Sequence, residues 1–348
     1  MFQLEDLLVD SCQALLSTPR HRPTFAAVAG SRWPRALVRR AVGAFQALAL
    51  PQADGPQALL LIGLSAGTAL DLLGAIPDWR RRFDLVAAWV WDCWEPWPAA
   101  ARQLDHVFVP VPEQQDEVRR ATGVPVTLLP LAADVLRQGS AALERPIDLI
   151  SYGRISPLHH QAFTAHYNRP DAARIYLRMV SRGSREPPPS GPWEARADRS
   201  ETELLYQLLR RSSASLCFDT LYPSDRRFPH SFVTLRWFDA IATGCAALGR
   251  RPTTPEADRL LDWEDATVEL PEDARESLRF VEGFLGDAPR LAALRARNHA
   301  QALARHDWRH RLRDLLAALG LPLPTRLGHE LEQLARRAVE VRGATSAT

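Results

Sequence analysis

The stretch Ile147-Asp148-Leu149-Ile150-Ser151-Tyr152-Gly153-Arg154 decides how this 348-residue chain is read. A run of strand character starts after the break at Arg145-Pro146 and stops on a glycine and an arginine, with a helix-length segment beyond. That order is the opening of a βαβ unit, and open parallel sheets take their ligands beyond the carboxyl ends of such strands. The residues just past Tyr152 are therefore the first place to look for chemistry.

The same alternation extends in both directions and predicts an α/β fold built on parallel sheets. Upstream, strands are predicted at Thr24–Val28, Ala58–Ile62, Leu85–Val90, His106–Val109 and Val126–Leu129, with helix-length segments such as Pro34–Leu48 and Glu113–Thr122 between them. Downstream they are predicted near Arg174–Met179, Ser215–Phe218, Cys245–Leu248 and Thr267–Leu270. The chain then divides into two Rossmann-like halves, residues 1–143 and 144–320, with 321–348 a C-terminal helix and frayed tail after Leu321-Pro322-Leu323-Pro324. The proline-rich stretch Ser184–Trp193 reads as a surface loop, because successive prolines remove donors and fix φ.

Composition bounds the function classes. At about 150 residues per domain the length admits two cores. The 43 Lys+Arg against 41 Asp+Glu leave a formal charge of +2, and every one of those bases is an arginine. No nucleic-acid partner is expected from that balance, which lacks the basic excess that backbone phosphates demand. Cys12, Cys93, Cys217 and Cys245 are too scattered for a metal or redox pair and read as buried free thiols. The acidic start Met1-Phe2-Gln3-Leu4-Glu5-Asp6 is unlike a secretory signal, and no apolar run reaches the ~18 residues of a membrane span. A soluble, cytoplasmic protein without a transmembrane segment is the expectation.

Four loops after predicted strands carry candidate chemistry. Gly153-Arg154 is either a strand-to-helix turn with a solvated arginine or a backbone approach with a guanidinium fork for phosphate. In Phe228–Gly244, Ser231 is placed to cap a helix that Gly244 ends, with His230 and Phe232 beside the cap. That helix is apolar almost all round, so Arg236 and Asp239 must be paired with each other or bound to something. Trp89, Trp91, Trp94 and Trp97, with Asp92 and Glu95 among them, are either an interdomain core or a sugar-stacking platform flanked by carboxylates. Gly63-Leu64-Ser65-Ala66-Gly67 lacks both the full dinucleotide fingerprint and the P-loop lysine. His306 and His310 have helical ligand spacing without a third ligand nearby, and no metal is expected.

These residues together carry a resemblance. Leu129–Asp134 closing the first half, Gly153-Arg154 opening the second, Phe238–Gly244, and His306-Asp307-Trp308 before a helix are similar to the GT-B glycosyltransferases of the family-4 type, in particular the branch named for the spore maturation protein CgeB. The resemblance implies two Rossmann-like domains facing a cleft, an acceptor domain and a nucleotide-sugar donor domain, and a C-terminal helix crossing back to the first domain. It implies metal-independent transfer, with retention, from a nucleotide-sugar to a glycan, peptide or small-molecule acceptor. No cofactor is implied beyond that substrate. It puts Arg154 on the diphosphate, His159 where the family has lysine, Ser231 where it has its first glutamate, and Asp239 on the ribose; the reading of the helix itself adds Arg236 to the diphosphate. Gly153, His230 and Phe232 fall in the same donor site, and Asp92 on the acceptor side. Because a lysine and a glutamate are replaced, a catalytically silent nucleotide- or glycan-binding subunit is the alternative.

Overall fold

A computed structural model describes residues 2–20, 45–50, 55–92, 96–140, 144–180, 192–222 and 229–346. They form two all-parallel sheets. The first runs in chain order, β1 (Ala58–Gly63), β2 (Leu85–Val90), β3 (His106–Val109) and β4 (Val126–Leu128). Its apolar face, including Leu61, Val86, Val90, Val107 and Val109, packs with Leu70 and Leu73 from the segment after β1. Each such side chain buried in full contributes about 1.5–3 kcal/mol.

The second sheet comprises β5 (Ile147–Tyr152), β6 (Tyr176–Met179), β7 (Ser212–Phe218), β8 (Ala246–Arg250) and β9 (Val268–Glu269), in the order β6-β5-β7-β8-β9. Every residue of β7 is buried, as expected of a parallel strand covered on both faces. Leu149, Ala214, Leu216, Phe218 and Leu248 form a core with Phe163, Val281 and Leu294 from covering helices. Since all pairings are parallel, the carboxyl ends of β5 to β8 share one edge of this sheet.

By contacts the chain groups into two units: Gln13–Pro130 with Asp314–Pro322 around the first sheet, and Met1–Cys12, Leu131–Arg313 and Leu323–Thr348 around the second. The change of unit thus falls at Pro130/Leu131, upstream of the expected 143/144. The reason is local. Ala133 pairs with Asp307, accepting from Trp308 N at 3.0 Å and donating to His306 O at 3.1 Å, which ties Leu131–Asp134 to the second unit.

The C-terminal helix also differs from its expected course. It forms over Thr325–Ser346, but groups with the second sheet instead of crossing to the first. Leu327, Leu334 and Ala338 bury the face that packs along the helix Ala288–Arg305. The segment that does group with the first sheet is Asp314–Pro322.

Three further expectations meet the structure locally. Strand Thr24–Val28 lies outside the described residues, as does most of helix Pro34–Leu48; Phe45–Leu48 is not helical, its Gln46 and Leu48 N–H groups donating to Arg20 O and Ala75 O. The stretch Ser184–Trp193 is described only from Pro192, where the helix Pro192–Leu209 begins. Gly63–Gly67 is a strand-to-helix turn in which Ser65 and Thr68 cap each other reciprocally, and a Cβ at Gly63 would lie 2.7 Å from that of Ala69.

One buried cation joins the ends of the second unit. Arg309, 1% exposed, donates through Nη1 to Asp134 (2.8 Å) and Asp307 (2.9 Å) and through Nε to Glu330 (2.6 Å). Ser11 Oγ, on the N-terminal helix Phe2–Cys12, donates to the same Glu330 carboxylate at 2.7 Å. Burial and the neighbouring Asp307 raise the Asp134 pKa, opposed by Arg309, whose own pKa is raised although burial opposes it. Removing the cation leaves the buried carboxylates Asp134 and Asp307, and the partly exposed Glu330, without it. Arg309→Met is expected to destabilise the second unit by about 3–5 kcal/mol, read as a lowered urea midpoint; an unchanged midpoint contradicts the role given to Arg309.

Candidate functional site

The carboxyl edge of the second sheet gathers arginines around a glycine. Gly153 follows β5 with φ +61°, and a Cβ there would sit 2.8 Å from Arg236 Nη1. Arg178, paired in register with Ser151, donates through Nη2 to Gly153 O at 2.7 Å. Arg154 donates through Nη1 to Thr220 O, in the loop after β7, at 2.7 Å. Among the described residues, no carboxylate lies within ion-pair distance of Arg178 or Arg236. Arg226 and Arg227, which follow in sequence, are outside the described residues.

The helix carrying Arg236 spans Leu235–Ala242 and starts later than expected. Ser231 does not cap it: its hydroxyl donates to Asp219 Oδ2 at 2.7 Å, and Thr234 takes the cap position without a side-chain bond. Asp219 also accepts from Thr220 N and Oγ1, while Thr220 Oγ1 contacts His230 O at 2.6 Å, so this carboxylate holds the two ends of the loop together. Phe232 is buried beside it. Two polar atoms at the helix start, Thr234 Oγ1 and Arg236 Nε, are buried without a hydrogen-bond partner. A helix start with unsatisfied N–H groups beside an arginine favours an anion.

Asp239, one turn on, is turned inward. Tyr152 donates to Oδ2 at 3.0 Å and Tyr206 donates to Oδ1, so both carboxylate oxygens are occupied by phenols. Burial pushes the Asp239 carboxyl up to about 6 even though both tyrosines favour the charged form. Burial and Asp239 in turn raise the pKa of Tyr152 and Tyr206 well above the usual.

His159 is fully buried and faces the core. The helix Pro157–Tyr167 turns it into the core, its ring centroid 5.2 Å from that of Phe218. Nδ1 is paired with Ser156 Oγ at 2.9 Å, and Nε2 lies 3.1 Å from Ser277 Oγ and 3.2 Å from Pro271 O. Burial lowers its pKa, so the imidazole is neutral at pH 7 and supplies no cation.

In the first unit, Asp92 follows β2 and its N–H donates to Leu64 O at 2.6 Å. Trp89 and Trp91 are core residues in edge contact, 6.2 Å between rings, and not an exposed stacking surface; Trp94, Cys93 and Glu95 are outside the described residues. His306 and His310 point their Nε2 atoms at Leu260 O (2.9 Å) and Leu303 O (3.0 Å), and so are committed to backbone. Arg178, Tyr152 and Tyr206 were not singled out by sequence reasoning; the arginine beside the predicted strand end Met179 was the available signal.

Comparison with known proteins bears on this unit. Residues 168–317, from just before β6 into the helix Trp308–Ala318, match a family model described as glycosyl transferase-like. No curated protein matches the chain. Among solved structures, TarM aligns with TM-score 0.48 and 6% identity over 75% of this chain and 54% of its own. A mutant S. aureus TarM, in complex with Fondaparinux, alpha-GlcNAc-glycerol and UDP, gives 0.46 and 7% over 74% and 54%. The chain therefore spans about half the length of these structures.

The Asp239 environment fixes a pH dependence. A folded-state pKa raised from 3.8 to about 6 means the native state holds the proton longer than the unfolded chain. Stability from this group is full below pH ~4 and falls as pH rises toward ~6, by about 3 kcal/mol at most. The difference in unfolding free energy between wild type and Asp239→Asn should shrink by up to that amount between pH 4 and 7 in urea titrations; a pH-independent difference contradicts the assignment.

Proposed function

We propose that the chain transfers a glycosyl group from a nucleotide-sugar to an acceptor, as a GT-B glycosyltransferase of the CgeB-like type. The observation that carries this reading is the placement of Arg236 against Gly153, its Nε unpartnered, at the start of a helix on the carboxyl edge of a parallel sheet. Departure of a nucleoside diphosphate builds negative charge on the leaving oxygen, and positioned cations with a helix N-terminus stabilise it electrostatically. Arg154 and Arg236 serve the diphosphate, Gly153 lets the backbone approach, and His230, Ser231 and Phe232 line the neighbouring loop. Those charges make a metal unnecessary in this scheme. Asp239 acts through Tyr152 and Tyr206 by fixing the helix that bears Arg236. The first unit presents the acceptor, with Asp92 on its side of the reaction, and transfer proceeds with retention and no dedicated protein base.

A binding-only role has one observation in its favour: the imidazole at 159 is neutral and enclosed, so the family's lysine has no counterpart there. The two readings separate when binding and turnover are measured independently. Calorimetry with UDP, GDP and ADP is expected to find one that binds, with Arg236→Ala weakening it by about tenfold or more. A nucleotide-sugar of the same base is then expected to be hydrolysed or transferred. Binding without turnover favours the silent subunit, and no binding by any of the three overturns the donor site.

A further inference from the structure

We propose that Arg178 is a further fixed cation of the diphosphate site beside Arg154 and Arg236, doing from the edge strand what position 159 does not do from its helix. This rests on the donor-site reading above. Three observations carry it. Arg178 and Arg236 converge on one residue: Arg178 Nη2 holds Gly153 O, while Arg236 Nη1 occupies the space where a Gly153 side chain would be. No carboxylate among the described residues lies within ion-pair distance of either guanidinium, and the Nε of Arg236 is buried without a partner. Arg178 is also braced from behind, by Ser151 Oγ at 3.5 Å, which pairs with Tyr176 OH at 2.8 Å, itself 2.9 Å from His160 Nδ1.

Two like charges held together at partial burial repel each other; burial, with Arg236 adding to it, lowers the pKa of Arg178. A pyrophosphate group relieves that repulsion by bringing several acceptor oxygens and more than one negative charge to the same point. Only part of the guanidinium's donor set is spent on Gly153 and Ser151, since arginine carries five N–H donors. The ligand class is therefore a diphosphate ester or pyrophosphate itself, and Arg178 has a role in binding beyond holding the turn.

The test measures binding of inorganic pyrophosphate, of the nucleoside diphosphate found to bind, and of its parent nucleoside, to the full chain by calorimetry. Arg178→Met is expected to weaken both phosphate ligands by about 10- to 100-fold and to leave the nucleoside unchanged, with a shallower salt dependence. Arg178→Lys, which keeps the charge, is expected to recover part of the loss, and circular dichroism checks that both variants fold. Equal weakening of all three ligands means Arg178 only shapes the turn and overturns the proposal. Wild-type-like affinity in a folded Arg178→Met overturns it while leaving the donor site standing. Failure of wild type to bind either phosphate ligand overturns both.

Discussion

An arginine lies in the space that any side chain at position 153 would need. Gly153 turns with φ +61°, and Arg236 Nη1 is 2.8 Å from where its Cβ would be. That contact couples the loop after β5 to the helix Leu235–Ala242, two segments far apart in sequence, and it sets where positive charge stands on the sheet edge. It depends on the parallel order β6-β5-β7, which brings Gly153, Arg178 and Thr220 to the same side. In an antiparallel arrangement these ends would alternate and the charges would disperse.

The surroundings hold that contact in place from behind. Tyr152 reaches from the end of β5 and Tyr206 from the helix Pro192–Leu209 to grip Asp239, one turn from Arg236 on the same helix. The Tyr206 hydroxyl oxygen also lies 3.2 Å from Gln3 Oε1 on the N-terminal helix, and that oxygen accepts from Asp134 N at 3.2 Å. Asp134 belongs to the buried Arg309 cluster, so a continuous polar chain runs from the sheet edge to the helix Thr325–Ser346 through Glu330. Buried networks of this kind are costly when partly satisfied and confer a single arrangement when complete.

Every strand expected within the described residues forms, because parallel strands covered on both faces read as continuous apolar runs with clear ends. Gly153, Arg154 and Arg236 were legible for a related reason: they punctuate strands and helices that the pattern already fixes. What was illegible depends on partners distant in the chain. Nothing local tells that Asp219 takes the Ser231 hydroxyl and moves the helix start to Leu235. Nor does the pair His159-His160 reveal which ring is enclosed by Phe163 and Phe218 and which stays near Arg178. The register Ser151↔Arg178, which turns an ordinary strand arginine into part of the site, exists only once β5 and β6 pair.

The most direct measurement is a crystal structure of the protein with a bound nucleoside diphosphate. The account predicts phosphate oxygens within hydrogen-bond distance of Arg236 and Arg154, over Gly153 at the carboxyl edge of the second sheet. A diphosphate seated elsewhere, with Arg236 still lying on Gly153 and touching no ligand, would contradict it.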